Sequence, residues 1–167
     1  LPFTSGNLAL MTTIKDGLPG VSSVIGFGAC GQGPSLLTST INVENLMGYI
    51  GGVFFTVPFA IEINSLTASF NTYPLYPEKP IVVTIRAQLY EAKEASNIFS
   101  AIEETLVTLT PSITEATSAG ALLRGEVKTN RPVEKNTRLM LIFSAMSNGP
   151  YQIDKILGYA SSSLVYT

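Results

Sequence analysis

Eleven residues, Val53-Phe-Phe-Thr-Val-Pro-Phe-Ala-Ile-Glu-Ile63, put Val53, Phe55, Val57, Phe59, Ile61 and Ile63 on one side of an extended chain. That period of two belongs to a β-strand with one apolar flank and has no counterpart on a helix. It returns at Ile81, Val83, Ile85, Ala87 and Leu89, and again at Leu139, Leu141, Phe143 and Ala145. The intervening residues Phe54, Ala60, Met140 and Ile142 are apolar as well, as expected of strands covered on both faces. Because the first flank is taken up by the core, these four are the candidate subunit contacts.

Glycine and proline cut the chain into strand-sized pieces at Asp16–Gly20, Gly31–Pro34, Tyr73–Pro80, Asn130–Pro132 and Ser147–Pro150. Strands are expected near 7–14, 21–28, 35–43, 50–63, 65–72, 81–91, 97–101, 105–110, 121–129, 137–146 and 155–166. So many short strands predict an all-β domain, an antiparallel β-sandwich or jelly roll, with residues 1–167 as a single unit. Ala92–Glu104 carries helix formers, with Ile98 and Ile102 four apart, but its alternating neighbours favour strand or loop. Pro58 removes a ladder donor from the first run and calls for an edge or a bulge there. The closing segment, Gly158–Thr167, has small residues in mid-run, which suits a sheet centre or a subunit axis.

Length allows a self-sufficient core, since a chain of 167 residues removes roughly 70% of its unfolded surface from water. Charge is scarce: 13% of residues are Asp, Glu, Lys or Arg, against about 25% in an average domain. A surface so poor in charge predicts association between copies. The net charge of −2 and the scattered Lys and Arg residues argue against a nucleic-acid partner. No apolar run reaches the roughly 18 residues of a membrane helix, so membrane insertion is not expected. The first residues lack the pattern of a signal peptide, and a start without methionine reads as a piece of a longer protein.

The absence of histidine removes a Ser-His-Asp triad and a His-bound zinc. Glu91 with Glu94 and Glu103 with Glu104 are the available carboxylate pairs, and a solvated rim is the expected place for both. An oxygen-only calcium site would draw on Asp16, Glu44 and Asp154, which lack an EF-hand spacing. No catalytic residue and no cofactor are assigned. Gly26-Phe-Gly-Ala-Cys-Gly31 matches the letters of a dinucleotide fingerprint, yet Gln32-Gly-Pro34 follows where a helix must begin, so a bulge or a tight turn is predicted. Cys30 stands alone and is read as a small apolar filler, with interchain pairing as the alternative. In the Tyr73–Pro80 loop, Tyr73 and Tyr76 sit between prolines, which makes them candidate contacts for a sugar or a protein partner.

A longer succession adds a family. Gly26-Phe-Gly28, Val83-Thr-Ile-Arg-Ala-Gln-Leu-Tyr90, Asn97-x-Phe99, Val107-Thr-Leu-Thr-Pro111, Thr137-Arg-Leu-Met-Leu-Ile-Phe-Ser-Ala145 and Gly158-Tyr-Ala-Ser161 run in order along nearly the whole chain. In that order they resemble the C-terminal domain of collagen-like exosporium glycoproteins of the B type, from spores of Bacillus relatives. Cys30 and the acidic Ala101–Glu104 stretch depart from that pattern. The resemblance implies a jelly roll similar to the trimeric heads of complement and tumour-necrosis-factor proteins, carried on a collagen-like stalk. It also implies an extracellular place on the spore surface and no catalytic residues. The expected function is therefore a non-enzymatic trimerisation head that presents loops for adhesion. The alternative is a carbohydrate-binding or host-adhesive module working through Tyr73 and Tyr76.

Overall fold

A computed structural model describes residues 1–46, 53–74 and 80–167. These residues form fourteen strands: β1 Pro2–Thr4, β2 Ala9–Thr13, β3 Val21–Ile25, β4 Cys30–Ser35, β5 Thr40–Asn42, β6 Phe55–Thr56 and β7 Ile61–Thr72, followed by β8 Val82–Ala92, β9 Ile98–Ala101, β10 Val107–Thr108, β11 Ile113–Thr114, β12 Leu122–Val133, β13 Arg138–Ser147 and β14 Ile153–Tyr166. Among the described residues there is no α-helix, only short 3-10 turns.

The strands form two sheets, and every strand pair is antiparallel. The five-stranded sheet runs β1-β14-β7-β12, with β2 sharing the β1 edge of β14. The larger sheet runs β4-β3-β13-β8-β9-β5, with β6 beside β13 and β10 and β11 beside β8. The pairing is nested: β1 and β2 meet β14, β3 meets β13, β7 meets β12, and β8 meets β9 to β11. A chain folded back on itself in this way and wrapped over two sheets is a jelly roll. Backbone bonds also join the sheets at their margins. Thr110 and Arg124 exchange bonds of 3.0 and 2.9 Å, and Thr4 bonds Gly26 and Gly28 on the opposite side.

The alternation read from the sequence sets the core. Leu139, Leu141, Phe143 and Ala145 of β13 face inward with Val83, Ile85, Ala87 and Leu89 of β8. From the other sheet they meet Ile63, Leu66, Phe70, Ala160 and Leu164. The Phe70 and Phe143 rings lie 6.5 Å apart across the sandwich.

Met140 and Ile142 point the opposite way, and there the structure corrects the expectation of subunit contacts. Both are buried within the chain itself, in a second cluster with Val24, Ile41, Val43, Tyr90, Ala92 and Phe99 on the outer side of the larger sheet. The segments around β5 and β9 fold over that side and supply the cover. Phe54 belongs to the same cover, half-buried and stacked on Phe99 at 5.0 Å, while Ala60 is exposed. Arg138 fastens the arrangement: its guanidinium lies 5.3 Å from the Phe99 ring centre and 5.7 Å from that of Phe54, and it donates to Ser96 O and Asn97 Oδ1. Burial in this cluster, with the charge of Glu103 as the lesser cause, pushes the Tyr90 phenol up to about 12.

The opening run is also not one strand. β6 pairs with β13, the chain bends at Pro58 and Phe59, and β7 begins at Ile61 in the other sheet. Val57 and Ile61 remain buried, whereas Phe59 is 56% exposed, because the bend carries it past the core. Conversely, the break expected at Asn64 is a bulge inside a continuous β7, where Ser65 faces Val165 and Ile63 faces Tyr166. Ala92–Glu104 contains β9 and one 3-10 turn, in keeping with the strand-or-loop reading.

Candidate functional site

The two sheets present different outer surfaces, and the one that no described residue covers belongs to the five-stranded sheet. β14 occupies its centre, between β1 and β2 on one side and β7 on the other, which is where the small residues of Gly158–Thr167 fit. Its inward positions Ile156, Gly158, Ala160, Ser162 and Leu164 are buried. Its outward positions are Leu157, Tyr159, Ser161, Ser163 and Val165, facing Asn71, Ser69, Thr67 and Ser65 of β7 across the ladder. No charged side chain occurs in that set. Arg124, Glu126 and Lys128 of β12 stand opposite Ser69, Thr67 and Ser65, and the exposed Glu62 of β7 and Lys155 of β14 lie beyond the ends of the strip, so charge borders it without entering it.

Two rows across the sheet make a trough. Thr4, Ser161, Ser69 and Arg124 form one, and Pro2, Ser163, Thr67 and Glu126 the next. Short side chains leave a depression of about 610 Å³ between them. The hydroxyls are tied to the sheet: Ser69 and Ser161 Oγ lie 2.7 Å apart, and Thr67 Oγ1 donates to Ser163 O at 3.4 Å. Apolar groups flank the trough along the strands, with Tyr159 and Leu122 in the next row on one side and Val165 on the other; each is more than two-fifths exposed. Such a surface offers shape, apolar contact and hydroxyls, with Arg124 and Glu126 at one side.

Of the other candidate residues, Tyr73 sits one position beyond β7. Its N–H donates to Leu157 O at 2.8 Å and its side chain is 48% exposed. Tyr76 lies outside the described residues. The glycine-rich Gly26–Gly31 segment is the turn from β3 to β4, closed by Gly26 N–H on Ala29 O at 2.8 Å. Gly28 has φ of 88°, and Gly6, at φ 67°, packs so close that a Cβ would fall 2.1 Å from Gly28 O. Phe27, in the same turn, stacks on Phe3 at 5.2 Å. The segment therefore latches β1 to the other sheet.

Two carboxylates share Arg131, and three others accept hydrogen bonds from side-chain amides. Glu91 accepts from Arg131 Nη2 at 2.5 Å, joining β8 to β12 with its side chain only 17% exposed, so it is no solvated rim residue. Glu104 lies 3.9 Å from the same guanidinium and is exposed. Glu94 accepts from Asn136, Glu44 from Asn97 and Asp154 from Gln152. Among the described residues, no three His, Cys, Asp or Glu gather where they could hold a metal ion. Cys30 packs partly buried against the main core, its Sγ 3.6 Å from Leu8 O, and burial raises the thiol above its usual range. Among the described residues, no helix is long and apolar enough to cross a membrane.

Sequence reasoning placed its candidate subunit contacts on the strands with two apolar flanks and read Gly158–Thr167 as a sheet centre or a subunit axis, without identifying the Ser- and Thr-lined face of β7 beside it. The signal available for it was the run of small residues in the last strand. In comparisons with known proteins, the chain matches no family model and no curated protein.

Proposed function

We propose that this domain is a non-enzymatic trimerisation head of a collagen-like filament on a spore or cell surface, and that copies meet through the outer face of the five-stranded sheet. The observation that carries this reading is the uncharged strip from Leu157 to Val165 and from Ser65 to Asn71, flanked by exposed Tyr159, Leu122 and Val165. Protein interfaces are depleted of charge at their centres, and a face of small side chains permits close approach of a second sheet. The other large apolar surface, around Met140 and Ile142, is already covered from within the protomer. The low charge content of the whole chain points the same way.

The chain ends suit a stalk. Leu1 N donates to Leu164 O at 2.7 Å and Thr167 exchanges backbone bonds with Glu62, so both ends lie at one extremity of the five-stranded sheet. A segment leading into Leu1 would arrive beside the proposed contact face. Three stalk chains wound together would bring three heads into register.

Sedimentation equilibrium of the domain tests the reading. Three chains per particle are expected, and Ser163→Arg, which projects a charge into the trough, should yield monomer with an unchanged far-ultraviolet spectrum. A wild-type domain that stays monomeric at micromolar concentration would overturn it. Tyr73 favours a second reading, adhesion to glycans, because a half-exposed aromatic beside a hydroxyl-rich face suits stacking on a sugar ring. A glycan array comparing wild type with Tyr73→Ala, Tyr76→Ala decides it: silence from the wild type removes that reading.

A further inference from the structure

The connection between β13 and β14 contains the one Asn-Gly step of the chain, Asn148-Gly149. Asparagine is chemically labile where the next backbone nitrogen can reach its side-chain carbonyl carbon, because a five-membered ring then closes. A following glycine leaves that approach unobstructed. Here Asn148 and Gly149 are both exposed, and a Cβ on Gly149, whose φ is 83°, would meet nothing within 4 Å. The Asn148 side chain is also held in a particular way. Its Oδ1 accepts a 2.6 Å hydrogen bond from Val82 N–H, while its own N–H donates to Val82 O at 3.0 Å.

We propose that Asn148 is a self-modification site, at which the fold assists conversion of asparagine to aspartate and isoaspartate. The Gly149 nitrogen attacks Asn148 Cγ, a new N–Cγ bond forms, and negative charge develops on Oδ1. The Val82 N–H already points at that oxygen and stabilises the charge in the way an oxyanion donor does. The Cγ–Nδ2 bond then breaks, and ammonia leaves with the proton from the Gly149 nitrogen. Water opens the resulting succinimide at either carbonyl, so the net change is one water consumed and one ammonia released.

The other asparagines lack this combination. Asn97 is followed by isoleucine, and its amide is occupied by Glu44 and Arg138. Asn64, Asn71 and Asn136 precede serine or threonine, whose side chains crowd the attack.

The modification has a structural consequence, because Asn148 tethers the first residue of β8. Aspartate keeps an oxygen for Val82 N–H. Isoaspartate inserts a methylene into the main chain, which pulls the backbone out of register where Ser147 pairs with Val83. Isoaspartate formation therefore unhitches the start of β8 and leaves the rest of the ladder in place.

The test is incubation of the folded chain at mildly alkaline pH beside the same chain in denaturant, with peptide mass spectrometry at intervals. A gain of one mass unit should appear at Asn148 before any other asparagine, at a rate in the folded chain equal to or above that in the denatured one. Methyl transfer by an isoaspartate-specific methyltransferase should mark the same peptide. Gly149→Ala, which strains only its own φ and should fold, is expected to abolish the change. Hydrogen exchange at Val82 and Val83 should quicken in converted protein and stay at the wild-type rate in Asn148→Asp. Slower conversion in the folded chain than in denaturant, or conversion elsewhere first, overturns the proposal.

Discussion

The outer faces of the two sheets are opposites built on the same β-alternation. On the larger sheet, β13 is apolar at every position from Leu139 to Phe143, and the chain folds β5, β9 and Phe54 over it to make a second core. On the five-stranded sheet, β14 and β7 alternate buried apolar or small residues inward with an uncharged outward row of Leu157, Tyr159, Ser161, Ser163 and Val165 beside Ser65, Thr67, Ser69 and Asn71, and nothing in the described chain covers them. An apolar outward position attracts cover from its own chain. A small, uncharged outward position stays open while lacking the charge that would keep a second copy away.

That contrast breaks most readily at its covered side. Ile142→Ala removes a side chain that is 1% exposed, and the vacated space should cost about 2–5 kcal/mol of protomer stability, as for other large-to-small changes in packed cores. Urea titration of the variant beside wild type measures it. If Ile142 were instead a contact between copies, its loss would change the concentration dependence of unfolding and leave the protomer's own stability nearly intact.

Arg138→Ala attacks the fastening of the same cover. It deletes two cation–ring contacts and the bonds to Ser96 and Asn97, so a loss of about 1–2 kcal/mol is expected. Hydrogen exchange should quicken in β5 and β9 before it quickens in β7 or β14. Uniform acceleration across both sheets would mean that the cover does not open as a separate unit. On the uncovered side, Ser163→Arg should move protomer stability by no more than about 0.5 kcal/mol, the range usual for exposed positions. Its effect belongs to assembly.

Legibility in the sequence followed the same division. The alternation at 81–89 and 139–145 identified the inward flanks residue by residue, since Val83, Ile85, Leu89, Leu141 and Phe143 are all fully buried. It also showed that β13 is apolar on both sides. What it did not carry was the source of the cover for Met140 and Ile142, because Ile41 and Phe99 reach them from distant segments and long-range pairing leaves no local period. The run 53–63 misled for a related reason. Alternation continues unbroken through Pro58, while the chain changes sheets there and exposes Phe59. The hydroxyl-lined trough was faint because outward Ser and Thr look alike whether they face water or another protein.

The smallest effect at neutral pH belongs to the covered face, where a titration reports how dry the cover is. Tyr90 lies in the covered cluster, and its phenol is pushed up to about 12, chiefly by burial and secondarily by Glu103. The neutral phenol is the form the folded state favours, so its contribution is fully present below about pH 10, where a tyrosine in the unfolded chain begins to ionise. Between about pH 10 and 12 the folded chain binds more protons than the unfolded one, and stability must fall as pH rises. Tyr90→Phe should flatten that decline while leaving stability at pH 7 almost unchanged, as followed by thermal unfolding across the alkaline range. Should Tyr90→Phe leave the alkaline decline as steep as in wild type, the cover over the larger sheet would be no drier than an open surface.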